Sequence, residues 1–231
     1  VFGSYPIVRS ATNNIQATLA HDEKDVFNEL LGTPSADRKI DLTTVGLNGN
    51  FTELSGAQNS WSVSYGVGNV DLRTNTVLAD DLATRGSFGK FNAAVARLTP
   101  LSKDRTWSLY SALSGQTASK NLDVVEQFQL GGPNGVRAYP TGEAIGEEGL
   151  LVNLELRKLL SKSRFGDFNV FGFYDYGAIE QKRQMGKNYS IDGVGVGMSL
   201  ANSDVGSISV AFAKKLGKNP NPSPLGFDAD G

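Results

Sequence analysis

The chain contains no cysteine and only one histidine, and these absences exclude several kinds of chemistry. Without cysteine there can be no disulfide bond, no thiol nucleophile and no cysteine-ligated zinc site. His21 has no second histidine to share a metal ion with, and no GxSxG motif accompanies it to supply a serine nucleophile. We therefore expect a protein that is not an enzyme and that holds no metal ion and no cofactor.

Long apolar runs, basic clusters and helical patterns are also scarce. No segment approaches the roughly 20 consecutive apolar residues that a membrane-spanning helix requires. The net charge of −2, with no basic run, argues against nucleic-acid binding. Only residues 21–31, which are rich in charge and include His21, and residues 80–84 could form a turn or two of helix, and neither continues into a longer pattern with a period of 3.6.

Most of the chain instead alternates apolar and polar residues with a period of two, which is typical of β-strands. In residues 61–70, Trp61, Val63 and Tyr65 share one face, and small or polar residues occupy the other. The same pattern recurs in residues 14–19, 39–50, 87–98, 107–115, 168–177, 190–200 and 206–216. It predicts about ten antiparallel strands in one all-β domain, residues 1–217. Residues 218–231 are rich in Pro, Asn, Gly and Asp, which predicts a loop or disordered tail.

Two architectures fit this pattern. In a soluble β-sandwich, the apolar faces would form a core between two sheets. In a transmembrane β-barrel, they would contact outer-membrane lipid, and the second face would line a wet lumen. The long strands, the abundance of Gly, Ser and Asn on the second face, and aromatic residues near strand ends favour the barrel. A soluble β-sandwich binding module remains the alternative.

Residues 121–157 interrupt the succession of strands. The run LGGPN cannot continue a strand, and a long polar loop with the motif Val136-Arg137-Ala138-Tyr139 follows it. The chain then enters a strand in which Leu150, Val152, Leu154 and Leu156 share one face. Asn153, Glu155 and Arg157 share the other. If the leucines face lipid, Glu155 and Arg157 point into the lumen, where they could interact with the loop arginine.

The ordered set LGGPNGVRAYP, GEEG, NLELR and FGFYDYG resembles the outer-membrane transporters of two-partner secretion. These are the haemolysin and filamentous-haemagglutinin secretion/activation proteins, within the Omp85 superfamily. The segments YPIVRS, RGSFGKFNAAVARL and VAFAKKLG extend the resemblance over nearly the whole chain. The resemblance implies a sixteen-stranded barrel in the bacterial outer membrane, with periplasmic POTRA domains, that exports an unfolded exoprotein without nucleotide hydrolysis. Within the superfamily, an insertase for other barrels is the alternative.

The resemblance also assigns site residues. It implies that the loop folds back into the lumen and that Arg137, beside Tyr139, contacts Asp175 in a strand motif formed by Phe173, Asp175 and Gly177. The family has glycine where this chain has Ala138. If that glycine requires a positive φ, we expect alanine to strain the tip of the loop. About ten strands of a sixteen-stranded barrel would leave open edges in lipid, so we also expect that strands and POTRA domains lie outside this stretch of chain.

Overall fold

The computed structural model describes residues 1–30, 33–73, 83–182, 187–202 and 204–217. Ten strands form one antiparallel sheet in the order β1-β2-β3-β4-β5-β6-β9-β10-β11-β12, and β7 and β8 form a small ribbon. The strands are β1 (Phe2–Arg9), β2 (Asn13–Leu30), β3 (Thr33–Thr52), β4 (Gln58–Leu72), β5 (Gly86–Pro100), β6 (Trp107–Ala118), β7 (Phe128–Gln129), β8 (Ile145–Gly146), β9 (Glu148–Ser163), β10 (Gly166–Gln181), β11 (Lys187–Asn202) and β12 (Gly206–Leu216).

The sheet is a meander, since each of its ten strands pairs with the next of the ten along the chain. The longest interruption lies between β6 and β9, which pair directly from Trp107↔Lys158 to Gln116↔Gly149. Residues 119–147, which include the β7-β8 ribbon and a 3-10 turn at Val124–Glu126, form the connection between these two strands. The all-β antiparallel fold is therefore confirmed. Ten of the described strands form one continuous sheet, and the other sheet among the described residues is only the two-stranded β7-β8 ribbon, which is too small to be the second layer of a β-sandwich.

Two local expectations were wrong. Residues 21–31 were expected to form a turn or two of helix, but the described part, residues 21–30, continues β2 and pairs with β3, for example as His21↔Thr43 and Asp25↔Lys39. Backbone hydrogen bonds along this ladder outweigh the weak local preference of a charged segment for a turn. The earliest predicted strand was at residues 14–19, whereas a strand precedes it, since most of the YPIVRS segment lies within β1 and pairs with β2. Of the possible turn at residues 80–84, only Ala83 and Thr84 are described, and neither is helical.

The two faces of the sheet differ sharply. One face, which we call the outer face, carries exposed large apolar side chains on most of its strands. These include Leu19, Val45, Tyr65, Phe91, Leu113, Leu154, Val196 and Phe212. Cross-strand pairs such as Val45↔Tyr65 and Val196↔Phe212 show that these residues share a face. Soluble proteins rarely expose such a continuous apolar surface, and the period of two places it where lipid would lie.

The opposite face, the inner face, is covered in part by residues 119–147. Its two buried apolar clusters lie under this connection, one including Ile40, Phe88 and Leu122, the other Leu130, Leu151 and Ile191. At one end of the sheet, successive strands are separated by few residues, whereas the two longest separations, from β4 to β5 and from β6 to β9, fall at the other end. In outer-membrane barrels, short turns face the periplasm and long loops face outward. No helix in the described ranges is long and apolar enough to cross a membrane. Residues 218–231 lie outside the described residues, so the predicted tail stays a prediction.

Candidate functional site

The tip of the long connection, residues 130–140, lies against the inner face of β9, β10 and β11. Leu130, Val136 and Tyr139 from the tip are each at most 3% exposed. They pack with the wall residues Leu151 from β9, Ile179 from β10 and Ile191 from β11. Burial of each large apolar side chain contributes roughly 1.5 to 3 kcal/mol. The tip is therefore seated by apolar contact as well as by charge.

The glycines in the LGGPNG run let the tip close on itself. A Cβ atom on Gly131 would collide with the carbonyl oxygen of Pro140, and one on Gly135 with that of Leu130. Gly132 has a φ of +109°, a conformation that residues with a side chain rarely adopt. These close approaches permit the backbone hydrogen bonds Val136 N to Leu130 O (2.7 Å) and Gly132 N to Tyr139 O (2.9 Å). The tip is thus a compact, internally bonded unit.

Arg137 projects from this unit onto the inner face and binds Asp175. Its Nε donates to Oδ2 at 2.8 Å and its Nη2 donates to Oδ1 at 2.9 Å, a bidentate arrangement. The backbone N–H of Arg137 donates to the same Oδ2 at 3.1 Å. Nη1 donates to Glu155 Oε2 at 2.6 Å. We call this set of contacts the tip anchor. Asp175 has no exposed surface, so its negative charge depends on these partners.

The charges at the tip anchor balance. Arg137 faces two carboxylates, and Arg157 supplies the second cation by donating from Nε to Glu155 Oε1 at 2.6 Å. Asn153 completes the coordination of Asp175 with a bond of 2.7 Å from Nδ2 to Oδ1, and the same amide donates to the backbone oxygen of Gly135 in the tip. The side chains of Asn153, Glu155 and Arg157 all come from β9, at the alternate positions expected to face inward. The structure therefore brings the loop arginine together with Asp175, Glu155 and, through Glu155, Arg157.

Each residue of the Phe173, Asp175 and Gly177 motif has its own contact with the tip. The guanidinium carbon of Arg137 lies 3.5 Å from the centre of the Phe173 ring, a cation–π arrangement. The Phe173 ring in turn lies over Gly195 of β11, where a Cβ atom would collide with it. Gly177 leaves room for Leu130, because a Cβ atom there would be 2.6 Å from Leu130 Cδ2. The spacing of two places all three residues on the inner face of β10.

Ala138 does not have the strained backbone that we expected. The described non-glycine residues with positive φ are Ala83, Arg105 and Ala144, and Ala138 is not among them. The position therefore does not require glycine for conformational reasons. Its constraint is spatial, because the Ala138 side chain lies against Gly193 of β11.

Sequence reasoning missed the contacts of residues 121–127, which we call the loop root. Here the buried carboxylates of Asp123 and Glu126 meet Arg38, Lys24 and Lys90 on the inner face of β3, β2 and β5. A signal was present, since Lys90 lies on the face that is otherwise rich in Gly, Ser and Asn. A lysine on such a face indicates a buried acidic partner, but the alternation of residues does not say which acid that is.

A possible set of metal ligands lies elsewhere, on the outer face of β2 and β3. Donor atoms of His21, Glu23 and Asp41 lie within 4.8 Å of one another. The ammonium of Lys39 already contacts Glu23 at 3.1 Å and Asp41 at 3.3 Å. Two of the three groups are exposed, and the Lys39 ammonium already bridges the two carboxylates, so we assign no metal site here.

An antiparallel meander with an apolar outer face, and with a loop anchored on its inner face, is part of the wall of a transmembrane β-barrel. Comparison with known proteins agrees with this class. Residues 3–200 match the family described as haemolysin secretion/activation protein ShlB/FhaC/HecB. The chain belongs to this family, whose members are outer-membrane transporters of two-partner secretion in the Omp85 superfamily.

The individual relatives have low sequence identity to this chain. The chain is 25% identical over 227 residues to the heme/hemopexin transporter protein HuxB of Haemophilus influenzae strain 86-028NP, covering 93% of this chain and 40% of that protein. Among solved structures, CdiB from Escherichia coli has a TM-score of 0.76 at 19% identity, covering 92% of this chain and 40% of the other. BamA from Haemophilus ducreyi has a TM-score of 0.56 at 9% identity, covering 95% and 58%. The barrel class is thereby confirmed, and the chain spans less than half the length of HuxB and CdiB.

Proposed function

We propose that this chain forms part of a pore in the bacterial outer membrane that exports an unfolded exoprotein by two-partner secretion. The observation that carries the proposal is the tip anchor within a chain that matches the secretion/activation family over residues 3–200. The loop motif supplies Arg137, and the inner face of the sheet supplies three buried partners for it, Phe173, Asp175 and Glu155. Such a loop would occupy space through which an exported chain has to pass.

The geometry suggests how the anchored loop would act. Export requires an opening along the inner face, and the tip would have to leave or shift to provide it. Leaving breaks four hydrogen bonds of Arg137 and exposes the apolar cluster around Leu130 and Val136. Because each charge-assisted hydrogen bond contributes roughly 1.5 to 3 kcal/mol, the anchored state would dominate in the absence of the exoprotein. Binding of the exoprotein would shift the population towards the open state.

The surroundings of the pore follow from the same proposal. The outer face would contact outer-membrane lipid, and POTRA domains elsewhere in the full-length protein would receive the exoprotein on the periplasmic side. The chain would perform no chemical reaction and hydrolyse no nucleotide. The inner face of β3 and β4 offers small uncharged side chains, such as Asn48, Asn50, Ser60 and Ser62, which suit passage of an extended polypeptide. The name of HuxB refers to heme/hemopexin transport. For this chain we propose an exoprotein as the exported partner and assign that exoprotein no ligand.

The similarity to BamA keeps an insertase as the second candidate. The TM-score of BamA, 0.56, is lower than the 0.76 of CdiB from Escherichia coli, so the fold is more similar to that of CdiB. A depletion experiment separates the two functions. In cells depleted of the full-length protein, we expect surface display of its exoprotein to fall while other outer-membrane barrels assemble normally. Loss of several unrelated barrels with undiminished export would instead establish the insertase.

A further inference from the structure

The loop root carries a second set of charges, separate from the tip. Glu126, in the 3-10 turn of the root, is 2% exposed. Its Oε1 accepts from Lys24 Nζ at 2.5 Å, and its Oε2 accepts from Lys90 Nζ at 2.7 Å. Lys24 belongs to β2 and Lys90 to β5. One buried carboxylate therefore joins two strands that are not neighbours in the sheet to the same turn of the loop.

Asp123 adds a third strand to this arrangement. Its Oδ2 lies 2.5 Å from Arg38 Nε of β3, and its Oδ1 accepts from the backbone N–H of Val125, which caps the 3-10 turn. Asp123 is 4% exposed. The preceding residue, Leu122, is buried among Ile40, Leu42, Val70, Phe88 and Ala118. The root is therefore held by charge and by apolar packing, as the tip is.

The polarity of the two sites is opposite. At the tip, the loop supplies the cation, Arg137, and the wall supplies the carboxylates of Asp175 and Glu155. At the root, the loop supplies the carboxylates of Asp123 and Glu126, and the wall supplies the cations. Since the cationic wall of β2, β3 and β5 would repel Arg137, and the acidic wall of β9 and β10 would repel Glu126, each half of the loop can be seated on only one wall.

We propose that Asp123 and Glu126 are positioning residues that form a second anchor for the loop, the root anchor, independent of Arg137. The inference rests on the proposed export function for its purpose, but not for its geometry. The root anchor holds residues 121–127 over the end of the pore wall formed by β2 to β5. Full opening requires release of both anchors. Loss of either one makes excursions of the loop more frequent while leaving the barrel wall intact.

Ala118 provides a reporter for the position of the root. It is the last residue of β6, it is 6% exposed, and it lies in the apolar cluster that Leu122 covers. Because this stretch of chain contains no cysteine, Ala118→Cys introduces a single thiol here. In the full-length protein, in outer-membrane vesicles or whole cells, the rate of labelling by a membrane-impermeant maleimide measures how often the root leaves the wall.

In the Ala118→Cys background, we expect Glu126→Gln to raise the labelling rate about ten-fold. Loss of one charge-assisted hydrogen bond shifts the equilibrium between the seated and the released root by about that factor. Glu126→Asp, which keeps the charge on a shorter side chain, should label at a rate between the two. The matched control is Glu180→Gln, since Glu180 is an exposed carboxylate of β10 that makes no ion pair with another described residue. Equal labelling in Glu126→Gln and Glu180→Gln overturns the proposal.

A double-mutant cycle tests whether Glu126 acts through Lys90. If it does, Lys90→Met raises labelling in the parent but adds little in the Glu126→Gln background. Independent, fully additive effects overturn the assignment of this pair. Should Glu126→Gln fail to assemble, Glu126→Asp and Lys90→Met carry the measurement, and unchanged labelling in both overturns the anchor. Labelling is measured without any exoprotein, so unchanged labelling refutes the root anchor alone. If the labelling rates change as expected but the protein does not export, the proposed function is refuted instead.

Discussion

The side chain of Ala138 at the loop tip lies directly against Gly193 of β11. A Cβ atom built on Gly193 would be 2.6 Å from the Cβ atom of Ala138, closer than two non-bonded carbon atoms can approach. Gly193 pairs with Asp175 across β10 and β11, so this contact lies in the same row of the wall as the tip anchor. The alanine at position 138 is thus accommodated by a missing side chain on the wall.

We expect Gly193→Ala to displace the tip from the wall, because its new methyl group would occupy the position of the Ala138 side chain. The displacement should expose the tip to protease added from outside, several-fold faster than in the parent protein. The reversing variant is available within the same contact. Ala138→Gly in the Gly193→Ala background removes the opposing methyl group and should restore slow proteolysis. If the double variant is cleaved as fast as Gly193→Ala alone, the contact does not govern the seating of the tip.

Arg137→Ala should lower secretion of the exoprotein while the protein still reaches the outer membrane. Removal of one partner from a buried ion pair costs roughly 3 to 5 kcal/mol, and here it leaves Asp175 buried without its guanidinium. Arg137→Lys should be intermediate, because an ammonium cannot bind both oxygens of Asp175 in a planar fork. The measurement is the exoprotein in the medium, normalised to the amount of assembled protein. Arg9→Ala, at an exposed arginine of β1, is the control, and normal secretion by Arg137→Ala would refute the role assigned to the anchor.

Exchange of the two charges tests contact rather than importance. Arg137→Asp places a third acid beside Asp175 and Glu155, and Asp175→Arg places a cation opposite Arg137, so each single variant should lose most secretion. In the double variant, opposite charges face each other again and can also involve Glu155. We expect it to recover part of the secretion, corresponding to a coupling free energy of roughly 0.5 to 3 kcal/mol. A double variant no better than the poorer single variant would argue that the two groups do not interact during export.

We expect acid to destabilise the turn between β5 and β6, which contains Asp104. Hydrogen bonds from the Ser102 hydroxyl, the Thr106 backbone N–H and the Thr106 hydroxyl lower the pKa of its carboxyl from 3.8 to about 2. Because the pKa is depressed in the folded state, the stabilisation of the turn is complete above pH 3.8 and is lost as the pH falls through about 2. A carboxyl titration by NMR in detergent micelles should give a midpoint near the lower value. A midpoint near 3.8 would show that these bonds do not persist in solution.

The alternation of residues along the strands was sufficient to predict most of the sheet. It placed Leu150, Leu154 and Leu156 on one face, and Asn153, Glu155 and Arg157 on the other, as the structure has them. It failed for residues 21–30, because a charged segment that extends β2 carries no apolar alternation. There the strand is specified by its partner, β3, and a partner is not visible in a local pattern.

The sequence by itself determined which residues face inward and which motifs the family resemblance could assign, because a period of two fixes the direction of every side chain once one face is known. Only the tertiary structure decided what lies opposite each of them. It placed Arg137 on Phe173 and Asp175, Ala138 on Gly193, and Glu126 between Lys24 and Lys90. These contacts join a loop to strands far away in the chain, and the path of a loop across a sheet depends on the closeness of fit and the charge of both surfaces together.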